Sequence, residues 1–324
     1  MPSLSQKIDR ARYYFLNIVQ DVAPQGLFRR RLFTILDRAL VGDANYIVDR
    51  VNYYNKLSTP VELSQEARRI QSIPMSRSMY YYDLKEHARY YPRQFRLNYR
   101  FGDLTGAPDS PSFVKSRPIG GNNANSVLMK LDKFRHFHFP TDRTAFRDKK
   151  PMAVWRGAPH NAKRAALLQR YRGHPLCDVG QPDDRLTALP RAGFLSIADQ
   201  MEFKYILSIE GNDVATNLKW IMASNSLCFM PAPVYETWFM EGLVEAGRHY
   251  VPLRPDFEDL EEKILYYERH PDEALAIIAA ANAHVRTFLD EPREQLISLL
   301  VMYKYFVLTG QLEPDRRYAG LIGA

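Results

Sequence analysis

The chain predicts an α/β fold built on a parallel sheet, and three stretches of its second half carry that prediction. PMAVW (151–155) is a short apolar run suited to a buried strand, Arg156-Gly157 is the loop at its end, and NAKRAALLQRYR (161–172) is a helix. The order returns in FKYILSIEG (203–211) and VATNLKWIMAS (214–224), with Asn212-Asp213 as a helix cap between them. SLCFMP (226–231) is a third short strand. Such alternation places ligand sites beyond the carboxyl ends of the strands, where Arg156 and Asn212 fall.

The remaining elements follow in chain order. SLSQKIDRARYYFLNIVQDV (3–22) and LFRRRLFTILDRAL (27–40) read as amphipathic surface helices with apolar inner faces. Arg29, Arg30 and Arg31 beside Leu27, Phe28 and Phe33 also suit an anionic membrane surface. FRLNYRF (95–101) alternates like a strand and ends at Gly102-Asp103, a turn pair, so Asp103 sits just past a strand. SVLMKLDKFRHF (126–137) reads as a helix, and the charged crossing TDRTAFRDKK (141–150) divides the chain into domains 1–150 and 151–324. Further on, YETWFMEGLVEAG (235–247) is helix-like, HYVPL (249–253) is a strand, and 259–270 and 271–289 are helices. The last helix, REQLISLLVMYKYFVL (293–308), could cross back onto the first domain.

A chain of 324 residues, 46% hydrophobic and 12% aromatic, can bury a substantial core. No apolar stretch is long enough to span a bilayer, and the N-terminus carries charges where a signal peptide needs an apolar segment. With only Cys177 and Cys228 there is no disulfide framework, and the expected location is the cytoplasm. Residues 1–150 hold 26 Lys and Arg against 14 Asp and Glu, net +12, whereas residues 151–324 hold 18 against 23, net −5. That asymmetry suggests a polyanionic partner for the first half: nucleic acid, a membrane surface, or an acceptor bearing phosphates or acidic sugars.

Several chemistries are excluded. No Gly-x-Gly pair supplies a dinucleotide fingerprint, and the nearest approach to a nucleoside triphosphate loop, Gly242 to Gly247, continues into Arg248-His249. His136 and His138 could share a strand face but lack an evident third ligand, and we read them as structural or surface residues. No Asp-x-Asp is present to hold a metal against a diphosphate, so no metal and no cofactor is expected. Charge on a leaving group then falls to basic side chains and helix ends.

From Phe95 to about residue 306 the chain resembles glycosyltransferase family 90, which includes bacterial lipopolysaccharide core transferases and animal protein O-glucosyltransferases. FRLNYRFGD (95–103), VKSRPIGGNNANSVLMKLDK (114–133), VWRG (154–157), FKYILSIEGNDVATNLKW (203–220) and YETWFMEGL (235–243) carry the resemblance, with wording nearest the bacterial branch. It implies the GT-B arrangement, two Rossmann-like domains facing a cleft, and a single inverting displacement in which Asp103 is the catalytic base. It also implies that Arg156 contacts the donor diphosphate, a task suited to paired guanidinium donors, with Gly157 letting the backbone come close. Asn212, Asp213, Thr216, Asn217 and Lys219 are the other donor-side candidates, at the start of a helix whose amides would face the nucleotide. The animal enzymes carry an arginine where Asn217 stands, so Lys219, Lys115 or Arg117 would supply the charge here. Lys115 and Arg117 could instead bind an anionic acceptor. Trp155, Trp220 and Trp238 read as core residues, and Tyr80, Tyr81 and Tyr82 as packing.

The expected protein is thus an inverting, metal-independent transferase moving a sugar from a nucleotide donor, with UDP-glucose or a related UDP-hexose or UDP-pentose the first choice. Its acceptor would be an anionic glycan or glycolipid such as lipopolysaccharide core, with peripheral contact at the cytoplasmic face of the inner membrane and no nucleic-acid partner. The rival is a basic nucleic-acid- or membrane-binding module without transferase activity, which explains the charge but not the second half.

Overall fold

A computed structural model describes residues 4–182 and 192–323. In chain order the elements are α1 (Leu4–Val22), α2 (Gln25–Leu36), α3 (Ala44–Tyr54), β1 (Arg68–Arg69), α4 (Ser78–Ala88), β2 (Arg96–Arg100), β3 (Ser112–Val114), β4 (Ser116–Pro118) and β5 (Ser126–Leu128). Then come α5 (Lys133–His136), β6 (Lys150–Arg156), α6 (Ala162–Tyr171), β7 (Cys177–Gly180), α7 (Ile197–Met201), β8 (Phe203–Leu207), α8 (Leu218–Ala223) and β9 (Leu227–Met230). The chain closes with β10 (Tyr235–Thr237), β11 (Val251–Pro252), α9 (Leu260–Arg269), α10 (Pro271–Arg286), α11 (Glu291–Leu308) and α12 (Ala319–Ile322).

Internal packing divides the chain into one unit of Met1–Phe134 with Asp290–Ala324 and another of Arg135–Leu289. The division falls before the expected boundary at Lys150, and the C-terminal segment belongs to the first unit. Counted this way, the first unit holds 25 Lys and Arg against 17 Asp and Glu, net +8, and the second 19 against 20, net −1.

In the second unit five strands form one parallel sheet in the order β11-β9-β8-β6-β7. Taken in sequence from β6, this is the 2-1-3-4-5 order of an open doubly wound sheet, whose switch point lies between β6 and β8. Its strands are apolar because both faces are covered. Ala153, Val154, Tyr205, Ile206, Leu207, Leu227 and Phe229 have no exposed surface. Helix α6 packs beside β7, α9 on β6 and α10 on β9 and α8. Cys177 and Cys228 are free and buried.

The first unit has a smaller sheet, β1-β2-β3-β5, antiparallel between β1 and β2 and parallel elsewhere. Helix α11 is its central element and packs against α2, α3, α4 and α12. Every residue from Leu296 to Phe306 is buried, so this helix is enclosed on all sides, as its near-continuous apolar sequence requires. Its one buried carboxylate at the start, Glu294, is paired at 2.8 Å with the equally buried Arg50 of α3.

Four local expectations are corrected. Residues 126–137 are not one helix: Val127 and Leu128 enter the sheet opposite Phe113 and Val114, and only Lys133–His136 is helical. Pairing on the sheet overrides a helix-compatible pattern there. Residues 235–247 form β10 and a single 3-10 turn, Glu241–Leu243, because Met240 adopts a left-handed conformation with φ of 56°. Helix α8 starts at Leu218, not after Asn212-Asp213; its cap position is Asn217 and it is only six residues long. Finally, α1 does not turn its apolar face inward: Phe15, Ile18 and Val22 are exposed while Tyr13, Tyr14 and Asn17 face the unit. Among the described residues no helix is long and apolar enough to cross a membrane.

Candidate functional site

Parallel strands deliver the loops that follow them to one edge of the sheet. At the switch point in the second unit, the loop after β6 and the turn before α8 border a cavity of about 330 Å³. It is lined by Arg135, His138, Trp155, Arg156, Gly157, Arg164, Ile197, Gln200, Thr216, Asn217 and Trp220. Three arginines and no carboxylate stand among the described lining residues, an arrangement that favours an anion.

Arg156 is the most tightly held of the three. Its Nη2 donates to Asp178 Oδ1 and its Nη1 to the Asp178 carbonyl, both at 2.7 Å, and Nε donates to the Gly193 carbonyl at 3.0 Å. The side chain is 6% exposed, so its position on the cavity wall is fixed by neighbouring β7. Arg164, on α6, stacks 5.7 Å over the Trp155 ring and donates to the Ile209 carbonyl at 2.8 Å and the Glu210 carbonyl at 3.1 Å. Burial lowers its pKa. Arg135 and His138 lie on the exposed side.

Gly157 is explained by packing. A Cβ there would come 2.5 Å from Trp155 Cζ2, inside the indole that floors the loop, so the ring alone forbids a larger residue. Asn217 is likewise a structural tie: its Nδ2 donates to the Leu207 carbonyl at 2.9 Å, and its Oδ1 accepts from Ser208 Oγ at 3.2 Å. The pair of bonds fixes the 212–217 turn to the end of β8 and leaves Thr216 on the cavity. Asn212 is exposed, Asp213 is 3% exposed, and neither lines it.

Lys219 is not at the cavity. Its ammonium lies 2.6 Å from Glu241 Oε1, between the rings of Phe137 and Phe239 at 5.7 and 5.4 Å, with no exposed side-chain surface. Glu241 also accepts from the Thr237 amide at 2.6 Å and from its hydroxyl at 2.9 Å. This cluster clamps the 237–241 bend to α8.

The first unit holds the remaining candidates. The register Arg100 opposite Val114 brings the ends of β2 and β3 together. Gly102, with φ of +108°, turns the chain there, and Arg77 Nη1 donates to the Phe101 carbonyl at 2.7 Å across the same turn. Asp103 and Lys115 follow, and Lys115 Nζ lies 2.7 Å from Asp103 Oδ1. Asp103 is 35% exposed and Lys115 is 1% exposed. The lysine is therefore placed to hold the carboxylate, not to meet an acceptor. Arg117 is also removed from acceptor binding, since it is fully buried and donates to the carbonyls of Tyr53 at 2.6 Å, Ser126 at 3.0 Å and Tyr54 at 3.3 Å.

Sequence reasoning missed Arg135, His138, Arg164, Ile197 and Gln200, which come from the α5 segment, α6 and α7 and share no motif. It also read Trp155 and Trp220 as core alone; both are buried, at 2% and 7%, and both line the cavity.

A family model described as Glycosyl transferase family 90 matches residues 129–307. O-glucosyltransferase LpsA of Dichelobacter nodosus is 54% identical over 271 residues, covering 83% of this chain and 84% of that protein. The chain belongs to glycosyl transferase family 90. It is a glycosyltransferase, and the reading as a binding module without transferase activity is set aside. More distant members are Protein O-glucosyltransferase 3 of Homo sapiens, 26% identical over 165 residues, and Protein O-glucosyltransferase 2 of Danio rerio, 29% identical over 143 residues. These alignments cover 49% and 42% of this chain, and 32% and 28% of those proteins. The family-model match spans the cavity-bearing sheet of the family 90 member described here. Among its described residues, no group of three or more His, Cys, Asp or Glu side chains is gathered to hold a metal ion.

Proposed function

We propose that this glycosyltransferase moves glucose, or a related hexose or pentose, from a UDP donor to an anionic surface glycan such as lipopolysaccharide core, without a metal and with inversion at the anomeric carbon. The observation that carries the donor assignment is the arginine-lined cavity at the switch point of the parallel sheet, the place where such sheets bind nucleotides. In this reading Arg156, with Arg135 and Arg164, faces the diphosphate, Thr216 and Asn217 border it, and no cofactor takes part. The name O-glucosyltransferase LpsA of the bacterial relative supports the sugar and the acceptor class.

Asp103 is the base in this proposal. Its carboxylate takes the proton of an acceptor hydroxyl as the oxygen attacks the anomeric carbon, and the bond to the UDP oxygen breaks in the same step. The departing diphosphate carries the negative charge that the arginines offset. In this reading the two units take the GT-B arrangement, and the protein works on the cytoplasmic side of the cell.

A panel of sugar nucleotides, followed for hydrolysis and for transfer to truncated lipopolysaccharide acceptors, tests the assignment. UDP-glucose or a near relative is expected to give turnover that persists in EDTA. Turnover with non-UDP donors alone, or loss in EDTA with recovery in manganese, would overturn the donor or the metal-independent step respectively.

A further inference from the structure

We propose that the outward face of α1, together with the exposed arginines of α1 and α2, is a docking surface for an anionic lipid bilayer. This goes beyond the donor and acceptor reading and does not depend on it.

Helix α1 is amphipathic in the reverse sense for a soluble domain. Its polar side is the one that packs: Tyr13 donates to Asp83 Oδ1 at 2.6 Å, Tyr14 and Ser78 share a bond of 2.9 Å, and Asp21 Oδ2 accepts from Tyr81 at 2.8 Å. Its apolar side faces out. Ile8, Ala11, Phe15, Ile18 and Val22 recur at intervals of three and four, one stripe along the helix. Phe15 is 65% exposed and Val22 is 80% exposed. Of the nineteen exposed large apolar residues among those described, ten lie between Ile8 and Val41, so exposure is concentrated in this segment rather than scattered.

The charge carried by the same segment selects the occupant. Arg10, Arg12, Arg29, Arg30, Arg31 and Arg38 are all exposed. Of the three acidic residues in the segment, Asp21 is engaged by Tyr81, and Asp37 by Arg317 and Tyr318. A second copy of the chain would bring the same arginines against themselves. A bilayer with anionic headgroups offers apolar depth for Phe15 and Val22 and negative charge for the arginines.

Flotation of the full chain with phosphatidylcholine vesicles, with and without phosphatidylglycerol, tests the proposal. Binding is expected only with phosphatidylglycerol and is expected to weaken as salt is raised. The Phe15→Ser, Val22→Ser double variant alters only exposed side chains; it should keep the wild-type melting transition and lose roughly tenfold or more in vesicle partitioning. Failure of the wild type to float with phosphatidylglycerol vesicles, or flotation untouched by the variant, overturns the proposal. Sedimentation showing a dimer that the variant dissolves, with no vesicle binding, overturns it in favour of an interface between copies.

Discussion

Lys115, almost wholly buried, holds Asp103 by a 2.7 Å bond to one carboxylate oxygen, while the aspartate itself remains a third exposed. The pair exists because β2 and β3 run parallel and end side by side. Asp103→Asn keeps the shape and removes the proposed base, so turnover should fall by ~10²–10⁴-fold with donor affinity nearly unchanged. Lys115→Met should lower turnover as well, through loss of orientation. Near-normal turnover in Asp103→Asn would show that the base is another group.

Arg156 owes its position to Asp178, which accepts from it twice. Arg156→Lys keeps a charge but loses the planar fork, and the donor dissociation constant, read by calorimetry, is expected to rise on the order of ten- to a hundredfold. Asp178→Ala should weaken donor binding in the same direction without touching the nucleotide. If donor affinity is unaltered in both variants, the cavity is not the nucleotide site.

Lys219 and Glu241 form a buried pair, and breaking such a pair leaves one charge without compensation. Lys219→Met should cost about 3–5 kcal/mol in denaturant unfolding, with much of that recovered when Glu241→Gln is added. A folded Lys219→Met protein of ordinary stability but poor donor affinity would instead restore Lys219 to the donor site.

Two buried groups on α4 pull the pH dependence of stability in opposite directions. Burial pushes the His87 imidazole down to about 4, with Lys133, Lys130 and Arg89 acting in the same sense. Between pH 4 and 6.5 the unfolded chain therefore takes up a proton that the folded chain refuses, and stability falls as pH falls. Burial pushes Asp83 up to about 7, so between its ordinary value and 7 the folded chain keeps a proton that the unfolded chain releases, and stability falls as pH rises. Each effect amounts to roughly 3–4 kcal/mol across its window, so the two largely cancel between pH 4 and 6.5. Asp83→Asn should expose the acid-side loss and His87→Gln the opposite slope, measured by urea unfolding across that range. Parallel slopes in wild type and both variants would refute this account. In Asp83→Asn the amide oxygen can still accept from Tyr13 or from the Lys133 amide, but not from both.

The sheet of the second unit was legible because parallel strands covered on both faces leave short apolar runs, and 151–155, 203–207 and 227–230 are such runs. What pairs with what was not legible. The Asp103–Lys115 contact depends on the register of β2 against β3, and the burial of Arg117 depends on carbonyls from α3 and β5, distances that a linear sequence does not carry. Spacing placed Lys219 next to Asn217, yet one side chain borders the cavity and the other enters the core, as neighbours on a helix do. Strands of three residues, as at 126–128 and 235–237, give too few positions for a period to show. The direction of α1 was misread for a different reason: hydrophobic periodicity locates an apolar stripe but does not say which way it faces.

The first unit is assembled from residues 1–134 and 290–324, with α11 as its buried centre, whereas the second is one continuous segment. During synthesis the segment 135–289 leaves the ribosome whole, while α2, α3 and α4 wait for the helix that covers them. A half-built first unit thus stands with its apolar surfaces open until α11 has been translated, the interval in which such chains engage chaperones or aggregate. A stop codon just before Glu291 would make that state permanent, leaving the five-stranded parallel sheet complete in a chain whose first unit cannot close.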